Sequence, residues 1–160
     1  MMEKKDLVTY FSATGVTEKI ARKLASAIGA DIFEIEPAVR YTPEDLDWDD
    51  MSSRTTLEKL DPASRPELSG NRIDLDSYGR VFVGFPIWSH REPAIIDTFL
   101  EAYDFSGKKV VPFASSVNSE MEDISSRMEV LLPDGCQVAR GKRFPEDVTE
   151  QELRDWASEQ

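Results

Sequence analysis

The chain has 160 residues and a formal net charge of −12; hydrophobic residues make up 40% of it and charged residues 31%. This balance is typical of a soluble globular protein, and we expect one domain spanning residues 1–160. The strong negative charge argues against binding to nucleic acids or to anionic membranes, because both are negatively charged and would repel the chain. The longest apolar stretch, residues 81–88, is far shorter than a membrane-spanning helix requires.

The cysteine and histidine content limits the chemistry further. Cys136 is the only cysteine, so no intramolecular disulfide can form, and this favours a cytoplasmic location. The N-terminus also leads into the first predicted strand without the apolar segment of a signal peptide. One histidine, His90, and one cysteine do not supply the ligands of a structural zinc site, so we expect no metal.

The first predicted elements are a strand, a turn and a helix. Residues 7–11 form an apolar run rich in β-branched and aromatic side chains, which is typical of a buried strand. After a polar turn, apolar residues recur at a spacing of four, which predicts an amphipathic helix containing Val16, Ile20, Leu24 and Ile28. Gly29 is expected to end that helix.

The remaining segments continue this alternation. The pattern predicts strands at residues 31–36, 80–85, 110–113 and 135–139, and helices after Pro93, from residue 121 to 131, and after a capping box at residues 149–152. Residues 39–70 are less regular and contain a possible helix at residues 51–60. Five strands alternating with helices predict an α/β fold, a three-layer, doubly wound, five-stranded parallel sheet.

The turn between the first strand and the first helix has the properties of an anion site. The first N–H groups of a helix have no partner within it, and the helix dipole makes that end partly positive. Ser12, Thr14 and Thr17 add hydroxyl groups, and Gly15 allows close approach of a ligand. The spacing matches neither GxxxxGK[ST] nor GxGxxG, so a single terminal phosphate is favoured over a triphosphate or a dinucleotide. The alternative is that the turn only caps the helix.

Three stretches together resemble the flavodoxin family. Ser12-x-Thr14-Gly15-x-Thr17 is similar to that family's FMN phosphate loop, residues 84–88 (GFPIW) resemble its second flavin-flanking loop, and residues 104–113 resemble its fourth strand and the approach to it. The resemblance implies the strand order 2-1-3-4-5 and FMN as the cofactor. It also implies the short-chain form, because the region of residues 138–148 leaves no room for the long insertion of larger members.

By the same resemblance, three loops at the carboxyl edge of the sheet would hold FMN. In this sequence they are Ser12, Ala13, Thr14, Gly15, Val16 and Thr17, then Pro86, Ile87, Trp88, Ser89 and His90, and then Ser115, Ser116, Val117 and Asn118. Trp88 is expected to stack on the isoalloxazine ring, and the third loop to bond its edge. His90 is either a proton donor near the ring or a solvated loop residue. The third loop contains fewer glycines than is usual in the family.

The resemblance implies an electron-transfer protein that uses bound FMN and meets redox partner proteins with a basic docking face. Two alternatives remain open. One is an NAD(P)H-dependent FMN reductase acting on quinones or similar small acceptors, although the sequence offers no nicotinamide site. The other is a flavin-free interaction module on the same fold, which only the glycine-poor third loop supports. Five acidic residues between Glu44 and Asp50 surround Trp48 and form either a solvated face or a docking surface.

Overall fold

A computed structural model describes residues 4–88, 91–116 and 122–160. Helices and strands alternate along most of the chain, as the hydrophobic pattern predicts. The strands are β1 (Lys5–Tyr10), β2 (Asp31–Glu34), β3 (Tyr78–Pro86), β4 (Lys109–Ser115), β5 (Gln137–Val138) and β6 (Lys142–Phe144). The helices of the described part are α1 (Val16–Ile28), α2 (Arg54–Leu60), α3 (Ala94–Ala102), α4 (Glu122–Leu131) and α5 (Glu150–Ser158).

The strands form one parallel sheet in the order β2-β1-β3-β4-β5, with β6 also paired to β4. The predicted order 2-1-3-4-5 is therefore confirmed. The fifth position differs from the expected single strand, because it is divided into β5 and β6 around Gly141. This glycine has a φ of 81°, a left-handed conformation that interrupts an extended strand.

Two apolar layers enclose the sheet. On one face, α1 and α5 cover β1, β3 and β4 through a cluster that includes Ile20, Leu24, Phe82 and Trp156. On the other face, α3 and α4 cover the same strands through a cluster that includes Val83, Phe99 and Met128. The central strands are buried on both faces, which explains their continuous apolar sequence.

The ends of the terminal helices follow the local sequence signals. Gly29 ends α1 in a left-handed conformation, with a φ of 67°, which a glycine accommodates best. At α5, the Thr149 side chain accepts a hydrogen bond from the Glu152 N–H while the Glu152 side chain accepts one from the Thr149 N–H. The predicted capping box is thus present.

Residues 39–70 contain α2 and pack against the core under α3 and α4 through Tyr41 and Leu68. A bridge between Pro37 and Leu68 brings the two ends of this segment together. We refer to it as the excursion. In the part of the chain that the structure describes, every helix is too short or too polar to cross a bilayer.

Candidate functional site

All strands of the sheet are parallel, so the loops that follow β1, β3 and β4 meet at one edge. Register supports this arrangement directly, because Tyr10 of β1 pairs with Gly84 of β3, and Pro86 of β3 pairs with Ser115 of β4. Ligands of open α/β sheets bind at this edge, where the chain order reverses between neighbouring strands. The three predicted loops therefore converge, in so far as their residues are described.

The loop after β1 leaves the start of α1 open. Gly15 has a φ of 96°, and beyond its two chain neighbours no heavy atom of the described residues lies within 4 Å of the position that a Cβ atom would take there. Its N–H donates to the Ser12 Oγ at 3.0 Å, which turns the chain tightly before Val16 begins the helix. No described side chain caps the first turn of α1, and Thr14 is exposed. An anion at this position would find free N–H groups and a hydroxyl beside them.

Glu18, the acidic residue in the first turn of α1, is paired with side chains outside the loop. The Glu18 carboxylate accepts hydrogen bonds from the Tyr10 hydroxyl at 3.2 Å and from the Arg22 guanidinium at 3.3 Å. Burial, together with the negative charges of Glu34 and Glu18, raises the pKa of Tyr10 to about 12. Tyr10 therefore remains a neutral donor that holds Glu18 to the side of the loop.

A hydroxyl pair joins the first loop to the end of β4. The Oγ1 of Thr17, which is 2% exposed, lies 2.7 Å from the Oγ of Ser115. The Ser116 N–H in turn donates to the Phe144 carbonyl at 3.3 Å. These two serines thus connect the third loop to α1 and β6, and the ring-edge contacts expected of them remain predictions.

Trp88 stands at the centre of an aromatic cluster. Its ring meets those of three other residues edge-on, with centroids separated by 5.6 Å from Phe11, 5.3 Å from Tyr41 and 5.8 Å from Trp48. Phe11 follows β1 directly, whereas Tyr41 and Trp48 belong to the excursion. The cluster places an aromatic surface next to the phosphate-type loop, which is the arrangement expected for a flavin ring stacked beside its phosphate site.

Charged residues of the excursion hold Tyr41 in this cluster. Sequence analysis missed this arrangement of Arg54, Glu58 and Asp45 around Tyr41, which we call the brace. The Arg54 guanidinium lies 3.8 Å from the centroid of the Tyr41 ring and 3.1 Å from the Glu58 carboxylate. The Tyr41 hydroxyl donates to Glu58 at 2.5 Å, and Asp45 lies 3.9 Å from Arg54. Burial and the hydrogen bond to Glu58 raise the pKa of Tyr41 well above its ordinary value. A Tyr41 that stays protonated keeps the brace intact over a wide pH range.

The second loop forms a tight turn. The Trp88 N–H donates to the Arg91 carbonyl at 3.0 Å, and the Arg91 N–H donates to the Trp88 carbonyl at 3.2 Å. The tip of this turn, Ser89 and His90, lies outside the described residues, as do Val117 and Asn118 of the third loop. Their predicted contacts with FMN, including a proton-donor role for His90, remain predictions.

The remaining predicted site residues lie beside the loops that they were assigned to. Ala13, Ile87 and Trp88 are partly buried and pack against the core under α3 and α4, and Val16 packs against the core under α1 and α5. Pro86 is the last residue of β3 and is partly buried. Among the described residues, no group of three histidine, cysteine, aspartate or glutamate side chains is arranged to hold a metal ion.

Comparisons with known proteins agree with this architecture. The chain is 38% identical to a candidate flavoprotein from Bacteroides uniformis, over 98% of this chain and 99% of that one, with a TM-score of 0.91. It is 37% identical to a candidate flavoprotein from Bacteroides eggerthii, over 98% and 97% of the chains, with a TM-score of 0.88. A flavoprotein from Lactobacillus acidophilus, solved in complex with FMN, is 26% identical over 97% and 99% of the chains, with a TM-score of 0.71.

Comparison with curated protein sequences gave no match. The sequence pattern that describes the flavodoxin family, in contrast, matches residues 5–160, almost the whole chain. With this match, the parallel sheet in the order 2-1-3-4-5 and the three converging loops have a common explanation: the chain belongs to the flavodoxin family.

Proposed function

We propose that this chain binds FMN and passes electrons between partner proteins. The observation that carries the proposal is the uncapped start of α1 behind Gly15, which lies beside the aromatic cluster of Trp88. A phosphate would accept hydrogen bonds from the first N–H groups of α1 and from the Thr14 hydroxyl. The FMN complex of the Lactobacillus acidophilus relative adds support.

The chain's own residues would bind and shield the cofactor. When bound, FMN supplies the electron-accepting ring, and the protein supplies position and electrostatics. Trp88 would cover one face of the ring and exclude water from it, while Phe11 and Tyr41 hold the indole in place. Shielding of this kind disfavours a charged reduced ring and so lowers its potential.

The negative charge of the chain and a cytoplasmic location indicate what kind of partner protein it binds. A net charge of −12 attracts basic proteins over long distances, and the acidic residues around Trp48 lie on the same side as the aromatic cluster. A single half-buried cysteine, Cys136, is consistent with a reducing cytoplasm. We therefore infer a redox partner with a basic docking face.

An FMN titration with matched glycine variants tests the cofactor site. Gly15→Ala strains a left-handed residue at the phosphate loop, whereas Gly107→Ala strains one at a φ of 76° in the turn before β4, at the opposite edge of the sheet. Both cost about 1 kcal/mol of stability from backbone strain. Only Gly15→Ala should weaken binding of FMN, measured by quenching of its fluorescence, and it should affect FMN more than riboflavin, which lacks the phosphate.

The result distinguishes the three functions. Equal loss of FMN and riboflavin affinity in Gly15→Ala would remove the phosphate site, and a wild-type chain that binds neither flavin would favour an interaction module. If FMN binds, anaerobic mixing with NADPH alone distinguishes the electron carrier from the NAD(P)H-dependent reductase. A flavin band that persists until a reductase protein is added supports the carrier, and rapid bleaching by NADPH supports the reductase.

A further inference from the structure

The short helix α2 of the excursion turns polar side chains inward and apolar side chains outward. Thr55 and Thr56 are buried, whereas Leu57 is 55% exposed and Leu60 is 62% exposed. Surface helices of globular proteins ordinarily bury their leucines and expose their polar residues. The two leucines are three positions apart and therefore share one side of the helix, which we call the leucine face.

Hydrogen bonds hold α2 in this orientation. The Thr55 Oγ1 donates to the Asp45 carbonyl at 2.7 Å, and the Ser53 Oγ donates to the Thr56 Oγ1 at 2.9 Å. A rotation of the helix that buried the leucines would break these bonds and remove both threonines from their partners. The outward position of the leucines is therefore part of the fold of the excursion.

Exposed apolar side chains are concentrated around this helix. Val39 lies beside the first turn of α2, because the Arg54 Nη1 donates to its carbonyl at 2.7 Å, and Met51 lies two residues before the N-cap Ser53. Single exposed apolar residues are common on proteins, whereas a concentration of them marks an interaction surface. Of the seven large apolar residues that are exposed in the described part of the chain, five belong to the excursion: Val39, Trp48, Met51, Leu57 and Leu60.

Unpaired carboxylates accompany these apolar residues. Asp50 directly precedes Met51, and Asp61 directly follows Leu60. The arginine of α2 does not neutralise them, because its guanidinium is held by Asp45 and Glu58 of the brace. An apolar centre with a polar rim is the usual arrangement of a protein interface. The exposed charged residues between positions 44 and 61 are five acidic residues and one basic residue: Glu44, Asp47, Asp49, Asp50, Asp61 and Lys59.

This charge distinguishes two possible occupants of the leucine face. A second copy of the chain would bring the same carboxylates to a two-fold interface, and each copy carries a net charge of −12, so like charges would meet. A protein with an apolar patch bordered by lysines or arginines would match both the leucines and the carboxylates. The surface therefore fits a basic protein better than a second copy.

The opposite side of α2 faces the candidate site. Thr55, Glu58 and Lys59 line a cavity that is also lined by Trp48 and Trp88. A helix with its side chains is about 10–12 Å across. A protein bound to the leucine face would thus lie about one helix diameter from the aromatic cluster, on which the flavin ring is proposed to stack.

We propose that the leucine face of α2, together with Met51 and the exposed carboxylates of the excursion, is the surface on which a basic redox partner docks. This docking surface rests on the proposed electron-transfer function and gives that function a specific contact region. The leucines supply the apolar contact of the docked complex, while the carboxylates attract the partner and orient it. The acidic residues near Trp48 form the rim of the interface and the leucines its centre.

Binding of ferric cytochrome c, a basic haem protein, to the flavin-free chain tests this surface. Calorimetric titration at low ionic strength should show a complex with the wild-type chain. The double variant Leu57→Gln/Leu60→Gln keeps good helix formers and should bind about five- to thirtyfold more weakly, since about half of each leucine remains to be buried. Val130→Gln is the matched control, because Val130 of α4 is 85% exposed and lies outside the excursion; it should bind like the wild type.

Salt dependence separates the apolar centre from the charged rim. Asp49→Asn/Asp50→Asn should weaken binding at low ionic strength and make the affinity less sensitive to salt, because exposed charges are screened. The leucine double variant should lose the same factor of affinity at every salt concentration, since it changes no charge. All these positions are exposed, so each variant should keep the thermal unfolding midpoint of the wild type within a few degrees.

Three results would overturn the docking surface. They are a wild-type chain that forms no complex with cytochrome c, a leucine double variant that binds as tightly as the wild type, and a wild-type dimer in sedimentation that the leucine variant dissociates. In the last case the leucine face joins two copies of the chain. Failure of the proposed function gives a different result: a chain that binds cytochrome c through the leucines but takes up no FMN keeps the docking surface and loses the cofactor.

Discussion

Gly84 lies in β3 beneath the candidate site, where the neighbouring strand leaves no room for a side chain. It pairs in register with Phe113 of the neighbouring strand, and a Cβ atom at Gly84 would lie 2.2, 2.4 and 2.8 Å from three atoms of the Phe113 ring. The ring is fully buried, so it has no free space to enter. Overpacking a buried site of this kind costs about 2–3 kcal/mol, at the upper end of the usual range, because the ring rather than a flexible chain end must move.

The variant Gly84→Ala should therefore lower the midpoint of thermal unfolding by about 5–10 °C in a chain of this length. Gly70→Ala is the matched control, because Gly70 is exposed, has an ordinary φ and has no heavy atom near its Cβ position. It should change stability by less than about 0.5 kcal/mol. Urea unfolding followed by circular dichroism provides both values on one scale.

The reasoning also predicts a rescue. Adding Phe113→Leu, which removes the ring, should cost less in the Gly84→Ala background than in the wild type, because the clash is relieved at the same time. If Gly84→Ala and Gly70→Ala lose equal stability, or if the two changes at residues 84 and 113 are additive, close packing is not the reason for a glycine in β3.

Three further results are expected. Trp48→Ala and Trp88→Ala should show a coupling of about 0.5–1.5 kcal/mol in a double-mutant cycle of urea unfolding, because their rings meet edge-on; additive losses would contradict the contact. Thr17→Val should cost about 1 kcal/mol of stability, and Ser115→Ala should add little to it, since both remove one hydrogen bond; independent losses would disprove the bond. The hydrogen bond to its aspartate partner raises the pKa of Tyr78 from 10.0 to about 12. The unfolded chain deprotonates first, so stability should fall as the pH rises between these values, and Tyr78→Phe should reduce that fall while an absorbance titration at 295 nm loses one of its late tyrosine steps.

The parts of the fold and of the candidate site that were predictable from sequence are those encoded by residues close together in the chain. Gly15 and the hydroxyl groups beside it define a turn within six residues, and Thr149 and Glu152 define a capping box within four. The apolar run of β3 predicts a central strand, because only a strand covered on both faces can be apolar throughout. Once several such elements are known, the parallel order follows from the family resemblance.

Contacts between distant parts of the chain were not predictable. Thr17 and Ser115 are separated by 98 positions, and nothing near either residue indicates that their hydroxyl groups meet. The contact of Tyr41 with Trp88 belongs to the same class, since it depends on how the excursion packs against the core. The division of the fifth strand had a local signal, Gly141, although a glycine in a strand does not by itself specify a break.

The excursion shows why an acidic stretch should not be treated as one surface. Asp45 lies 3.9 Å from Arg54, is only partly exposed, and contributes to the brace under Tyr41. Asp49 and Asp50 are exposed, and the Asp50 carboxylate accepts hydrogen bonds only from Ser52 in its own turn among the described contacts. The inner charge is neutralised by an arginine and stabilises the fold, whereas the outer charges project into solvent. Of the two interpretations of this stretch, a solvated face and a docking surface, neither describes Asp45, and for the outer residues the docking surface remains a proposal.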